Sequence, residues 1–322
     1  MKTILWALAL FVIQGLSNIA YGQVYPNKSI RLIVPFAPGG GNDTVARAVA
    51  QQMSQSLGQA VIVDNKPGAG GVLGADLAAK APPDGYTIFL GGVGSLVVNP
   101  QVIAKNSYDP IRDFSPIILL ATAPLVVTVN ATSQWKTIQE MTAFAKQNPG
   151  KLNYASNGNG SSAQIATVIY ESMAGVELTH VPYKGLAPAL TDLLSGQVQL
   201  MFSSMVAIIP HIQAGRLRAL AVTSLKRSPL LPNTPTLAES GLPGYEAGSW
   251  YGLLVPAGTP EAIIQRLNQE AAKALNQAKV KESLIAEGAE VVGGSPQDFS
   301  KYIRQEYARI GRLIKTGHLQ IN

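Results

Sequence analysis

The chain has no cysteine, only three histidines and few charges: 14% of its 322 residues are Asp, Glu, Lys or Arg. Without cysteine there can be no disulfide framework, thiolate zinc site, cysteine nucleophile or lipid-modified cysteine anchor. The histidines, His180, His211 and His318, are too far apart in sequence for a recognised metal spacing, so neither metal nor cofactor is expected. Lys and Arg number 25 against 19 acidic residues, a net charge of +6, and no run of five like charges occurs. A basic stripe with interleaved aromatics is missing too, so no nucleic-acid partner is expected. Long apolar runs are also scarce. Ile4–Ile13 is too short to span a bilayer, and Ile117–Val129 is 13 residues and contains Pro124, whereas a spanning helix needs about 20.

Hydrophobic residues make up 47% of the chain, and its 31 Gly and 21 Pro follow no period, so a disordered or collagen-like chain is excluded. The length suits roughly two domains. At the N-terminus, Lys2 precedes the apolar stretch Ile4–Ile13, and Ala20-Tyr21-Gly22 offers small residues at the minus-three and minus-one positions. Residues 1–22 therefore read as a signal peptide cut before Gln23, with the mature chain soluble in the periplasm.

Beyond it, short β-rich runs alternate with helical patterns, the rhythm of an α/β fold with mainly parallel sheets. Ile30–Val34, Val61–Val63 and Tyr86–Leu90 read as strands. Val45, Ala46, Val49, Ala50, Met53 and Leu57 fall at helical spacing and stop at Gly58, and Leu73–Ala81 reads as a second helix. After the long strand Ile117–Val129 the rhythm restarts. Thr137 with Glu140 predicts a capping box. Strands are expected at Leu152–Ala155, Leu178–Val181, Val198–Phe202 and Leu217–Val222, and helices near Pro260–Leu275, Lys279–Glu287 and Pro296–Lys315. The two long apolar strands bracket about a hundred residues. If both cross between lobes, lobe one comprises 23–125 and 224–322, and lobe two 126–223.

Three loops could carry chemistry. The first, Pro35–Asp43, follows a strand and opens a helix. Its glycines let backbone amides approach a ligand, and Asn42 or Asp43 can cap the helix, whose N-terminus favours a carboxylate or phosphate. A plain strand-to-helix turn fits the same residues. The second, Ser156–Ser162, offers hydroxyls, amides and glycines without a charge. Its Gly158-x-Gly160-x-x-Ala163 formally matches a dinucleotide fingerprint, which an exported chain would rarely use. The third, Val181–Gly185, supplies an aromatic wall in Tyr183 and a movable cation in Lys184, with Asp192 in the helix after it. His180 reads as a packed histidine. Trp250 and Tyr251 fit either core or cleft wall.

Five segments together resemble the Bug (TctC-like) family of extracytoplasmic solute-binding proteins: Val34–Asp43 (VPFAPGGGND), Asn65–Gly71 (NKPGAGG), Pro83–Thr87 (PDGYT), Val181–Gly185 (VPYKG) with Asp192, and Val255–Pro260 (VPAGTP). The resemblance runs over the mature chain. It implies an α/β, two-lobed, type II periplasmic-binding-protein fold with a cleft between the lobes and two crossing strands as hinge. It further implies capture of organic carboxylates, held largely by backbone groups and bridging waters. Carried over residue by residue, the ligand loops give Phe36, Ala37, Gly40, Asn42 and Asp43; then Ser156, Asn157, Gly158, Gly160, Ser161 and Ser162; then Tyr183, Lys184 and Asp192. The chain departs from the family at Pro38 and Asn42, where Ala and Thr are frequent, and at Gln164, where His is common. The expectation is a non-catalytic, monomeric receptor that delivers a small organic acid to the membrane subunits of a tripartite tricarboxylate-type transporter. A sensor subunit for a membrane kinase, or an exported α/β hydrolase using Ser161 or Ser162, are the alternatives.

Overall fold

The computed structural model describes residues 25–103, 106–286 and 288–315; the expected leader, 1–22, lies outside them. Strand β1 (Ile30–Val34) runs parallel to β2 (Val61–Asn65) on one side and β3 (Thr87–Gly91) on the other. Only Arg31 of β1 is exposed, as a strand covered on both faces requires. Helix α1 (Gly41–Leu57) buries the six residues whose spacing predicts it and ends at Gly58, left-handed at φ +66°. Helix α2 spans Val72–Ala79, close to the expected range.

The organising element is β4 (Phe114–Asn130), 17 residues long. Its first part pairs antiparallel with β9 (Gly248–Pro256), from Phe114–Pro256 to Pro124–Gly248, and carries β10 (Glu290–Gly293) on its other edge. Its second part pairs with β7 (Leu200–Ser204) and β8 (Leu217–Val222). Beyond β7 lie β5 (Asn153–Ser156) and β6 (Thr179–Pro182), all three parallel. One sheet is thus ordered β2-β1-β3-β9-β4-β10 and the other β6-β5-β7-β4-β8. The protein is two-lobed α/β, with β4 common to both sheets.

The change of partners falls between Pro124, which has no N–H to give to a ladder, and Leu125. Buried Thr223 fastens this point. Its Oγ1 accepts from Leu125 N at 2.7 Å, and its own N–H donates to Leu125 O at 3.0 Å. The second passage between sheets comes later, at Ala247–Gly248, where Gly248 pairs with Pro124, so the strand expected at Leu217–Val222 does not itself cross. Strand β8 ends at Val222 and pairs only with the second half of β4. The chain returns through the irregular segment 223–247, rich in Pro and Ser, before β9 begins.

Strand β9 has no counterpart among the expected elements. It fills the place between β3 and β4 that the β1–β3 trio leaves open, and it buries Trp250 and Tyr251 as core. Gly252 lies against the Phe299 ring of α10 (Pro296–Lys315), where a Cβ would fall 2.0 Å from Cζ. The remaining helices are α3 (Asn99–Val102), entered through a wide turn at Gly94–Val98; α4 (Ile138–Gln147), opened by the Thr137–Glu140 capping box; α5 (Ser162–Ala174); α6 (Leu186–Ser195); α7 (Met205–Gln213); α8 (Glu261–Leu275); and α9 (Ala278–Ala286). Helices α1, α8 and α9 share one core with the first sheet.

Candidate ligand-binding site

The first loop leaves the C-terminal end of β1 and turns into α1 through Gly39, at φ +86°. Gly40 is the N-cap, in extended conformation, and its carbonyl accepts from Asp43 N and Thr44 N. Neither Asn42 nor Asp43 occupies the capping position. Both lie in the first turn, and buried Asp43 reaches back to the loop instead. Its Oδ2 accepts from Gly39 N at 3.0 Å and Arg47 Nε at 2.9 Å, and its Oδ1 accepts from Asn65 Nδ2 at 3.0 Å. Asn65 also donates to Phe36 O. Burial by itself would raise the Asp43 pKa, but the bonds from Arg47, Gly39 and Asn65 outweigh it and hold the carboxyl below its usual range. Asp43 therefore shapes the loop. The amides of Gly41 and Asn42 donate to nothing among the described residues, the ordinary condition of helix-start donors awaiting an acceptor.

The second loop leaves β5 and enters α5 in the same way, with Ser161 as N-cap accepting from Gln164 N at 3.4 Å. Several of its donors are already engaged. Gly158 N donates to Ser156 Oγ at 3.1 Å, Gly160 N to Gln164 Oε1 at 2.6 Å, and Ser161 N to Gly158 O at 3.2 Å. Ser156 is wholly buried, and its hydroxyl lies 2.6 Å from His180 Nε2. Gly158, Gly160 and Ser156 thus build the loop, while the amides of Ser162 and Ala163 have no acceptor among the described residues. Half-buried Asn157 keeps a buried Oδ1 with no partner.

The third loop follows β6. Tyr183 N donates to Ser156 O, tying loops two and three together. The Tyr183 hydroxyl donates to Asp192 Oδ2 at 2.5 Å, and burial followed by that carboxylate pushes the phenol up to about 12. Asp192 thereby fixes the Tyr183 ring. Lys184 is exposed, with no ion pair among the described residues. His180 stacks on Tyr154, with centroids 4.7 Å apart, and burial lowers its pKa to about 4.

Loops one and two each touch loop three. A Cβ on Gly185 would lie 3.7 Å from Ala37 Cβ, and one on Gly158 would lie 3.4 Å from Tyr183 O. The sequence reading missed the contacts across from loop two. Gly70 lies against Asn159, where a Cβ would fall 2.0 Å from the carbonyl oxygen, and Gly94 lies against Gly160, at 2.5 Å by the same measure. Asn99, buried at the start of α3, donates to Gly70 O at 2.9 Å and presses on Gly160. The Asn65–Gly71 segment stood out in the sequence, but nothing local marks Gly94 or Asn99.

Two lobes joined through a shared strand, with glycine-rich strand-to-helix loops from each meeting between them, define a periplasmic-binding-protein architecture. Within that class the chain belongs to the tripartite tricarboxylate transporter family of receptors, whose model matches residues 45–319. It is similar to Rpa4515 of R. palustris, solved with adipate (39% identical, TM-score 0.86, covering 91% of this chain and 98% of that one). It is also similar to the periplasmic binding protein BugD (36%, TM-score 0.86, 91% and 98%). A third relative is MatC of Rhodopseudomonas palustris, solved with malate (33%, TM-score 0.85, 90% and 100%). The chain is a periplasmic solute-binding receptor of this family.

Proposed function

We propose that this receptor captures a small organic carboxylate between the N-termini of α1 and α5 and delivers it to the membrane subunits of a tripartite tricarboxylate-type transporter. The observation that carries the reading is that two loops from different sheets, each in contact with loop three, lead into helices with unpaired first-turn amides: Gly41 and Asn42 on one side, Ser162 and Ala163 on the other. Helix starts of this kind favour an anion through both their free donors and their partial positive charge. Each charge-assisted bond contributes about 1.5–3 kcal/mol, and a micromolar site needs about 8 kcal/mol in total. Four such donors together contribute about 6–12 kcal/mol, and the upper end of that range reaches the required value against the ordering costs of binding. The ligands in the Rpa4515 and MatC structures, adipate and malate, are carboxylates and support the same class here.

In this reading residues 1–22 are removed on export, 23–125 with 224–322 form one lobe, and 126–223 form the other. Phe36, Ala37 and Tyr183 wall the ligand, and Lys184 attracts it from the cleft mouth. The receptor is monomeric and non-catalytic. The 2.6 Å contact between Ser156 and His180 is the one feature that favours a hydrolase. It is poorly suited to one, because a serine nucleophile needs an accepting nitrogen beside it. Nδ1 of His180 faces the Gln164 amide nitrogen, which can only donate, so the imidazole hydrogen sits on Nε2, toward Ser156. A role in sensing would leave the site unchanged and differ only in the membrane partner recovered with the protein.

Calorimetry of the purified protein against a panel of mono-, di- and tricarboxylates, adipate and malate included, tests the proposal. Saturable binding of at least one carboxylate is expected, with no turnover. Preference for a solute lacking any anionic group would overturn it.

A further inference from the structure

Loop two is held by a largely buried chain of hydrogen bonds whose direction can be read from one end to the other. Gly160 N–H can only donate, so the atom of Gln164 that it meets at 2.6 Å is Oε1. The same amide must then turn Nε2 to His180 Nδ1, 3.2 Å away, and Nε2 has only hydrogens to offer. Nδ1 is therefore the acceptor, and the neutral ring carries its hydrogen on Nε2, 2.6 Å from Ser156 Oγ. That oxygen also accepts from Gly158 N at 3.1 Å, and its own hydrogen goes to Gly158 O at 3.2 Å. Gln164 and Ser156 are both buried, and Tyr154 covers one face of the imidazole. The chain begins at Gly160, which also meets Asn99 and Gly94 from the opposite lobe.

We propose that Gln164 and His180 are positioning residues for ligand capture: acting as one oriented clamp, they fix Gly160 and Gly158, and so set the surface on which the two lobes meet when the site closes. The clamp stands on hydrogen-bond geometry alone. Its consequence for capture rests on the receptor reading above.

The clamp tolerates only a neutral His180. A proton on Nδ1 would face the Gln164 NH2, and turning the amide over would set that NH2 against Gly160 N–H. The titratable and charged groups on the elements around the ring are Tyr154 on β5, Glu171 on α5, Glu177 before β6, Tyr183 and Lys184 after it, and Asp192 on α6. Among the described residues none of these is hydrogen-bonded to the imidazole, whose partners are Ser156 and Gln164. Burial, with a pKa lowered to about 4, keeps the ring neutral across the neutral range.

The test begins without ligand. An imidazole nitrogen NMR titration of the purified protein should show His180 with hydrogen on Nε2 at pH 7 and protonation near pH 4. A hydrogen on Nδ1, or protonation near the ordinary 6.5, would overturn the clamp. In Gln164→Glu the carboxylate can accept from both Gly160 N–H and Nδ1–H, so His180 protonation should move up by more than one pH unit; an unmoved titration would overturn it. Gln164→Leu should speed exchange of the Gly160 amide hydrogen at least tenfold while circular dichroism stays native. Unchanged exchange in a folded variant would also overturn it. With adipate and malate as probes at pH 7, Gln164→Leu should bind at least tenfold more weakly than the parent, and Gln164→Glu within a few fold of it. Equal affinity in the parent and Gln164→Leu would overturn the coupling to capture. If the parent binds no carboxylate, the receptor reading fails instead, and the tautomer, titration and exchange results still decide the clamp.

Discussion

A methyl group at Gly160 would sit 1.7 Å from Asn99 Oδ1, at a residue whose φ is +72°. A Gly160→Ala substitution therefore meets two obstacles at once, a left-handed backbone worth about 1 kcal/mol and a buried amide in the way. Carboxylate affinity should fall at least tenfold by calorimetry, with a lowered thermal midpoint. Gly40 is the contrast. A Cβ there meets nothing within 4 Å, and its φ of −92° suits any residue. Gly40→Val should keep its thermal midpoint and lose binding, because the added side chain stands at the mouth of the α1 amides. Unchanged affinity in Gly40→Val would take loop one out of the site. Loop one stood out as a candidate because three glycines lie between a strand and a helix, a pattern that a plain turn also fits. Asn99 and Gln164 did not, because their roles depend on what faces them across 29 and 16 residues of chain. The loop-shaping bonds of Asp43 were hidden for the same reason: its partners Arg47 and Asn65 come together only in the folded loop.

At the scale of elements, α5 carries more than the ligand amides. Glu171, in its last turns, accepts from Leu178 N at 2.7 Å, and burial with Glu177 nearby holds its carboxyl up at about 7. Between pH 4.5 and 7 the folded chain thus keeps a proton that the unfolded chain has released, so this group lowers stability as pH rises through that window. His180 has the opposite sign. Its lowered pKa makes stability rise with pH between about 4 and 6.5, and the two effects partly cancel in the parent. Glu171→Gln, which can still accept from Leu178, should be more stable than the parent at pH 8 and equal to it near pH 4. A stability difference that does not change with pH would contradict the assignment. Amphipathic spacing and a capping box made α1 and α4 readable in the sequence. Strand β9 escaped because its Gly248–Gly252 stretch shows no alternation; it is buried on both faces, and Gly252 is small only to admit Phe299.

For the whole molecule, the βα rhythm carried the two-lobed architecture, and what it could not carry was the route of the return. An apolar run such as Leu217–Val222 looks alike whether it crosses between sheets or ends at the border. Thr223 decides the matter through its bonds to Leu125. Thr223→Val would leave the buried Leu125 N–H without an acceptor, at a cost of about 1–3 kcal/mol, visible as a lower thermal midpoint. Solution scattering offers the wider check. Saturation with a bound carboxylate should shrink the radius of gyration toward the closed arrangement described above, and an unchanged profile would argue against closure on the ligand.

Because β4 runs from one sheet into the other at Pro124–Leu125, and the returning chain re-enters the first sheet beside it along a seam, with Gly248 paired with Pro124 and Ala247 N tied to Thr223 O at 3.2 Å, the molecule has a spine rather than a ball joint. Twisting or sliding one half past the other would tear that seam, whereas swinging apart would not. If the proposed ligand site lies between the halves, a substitution that locks the seam should slow ligand exchange, measured by stopped flow, without altering what is recognised.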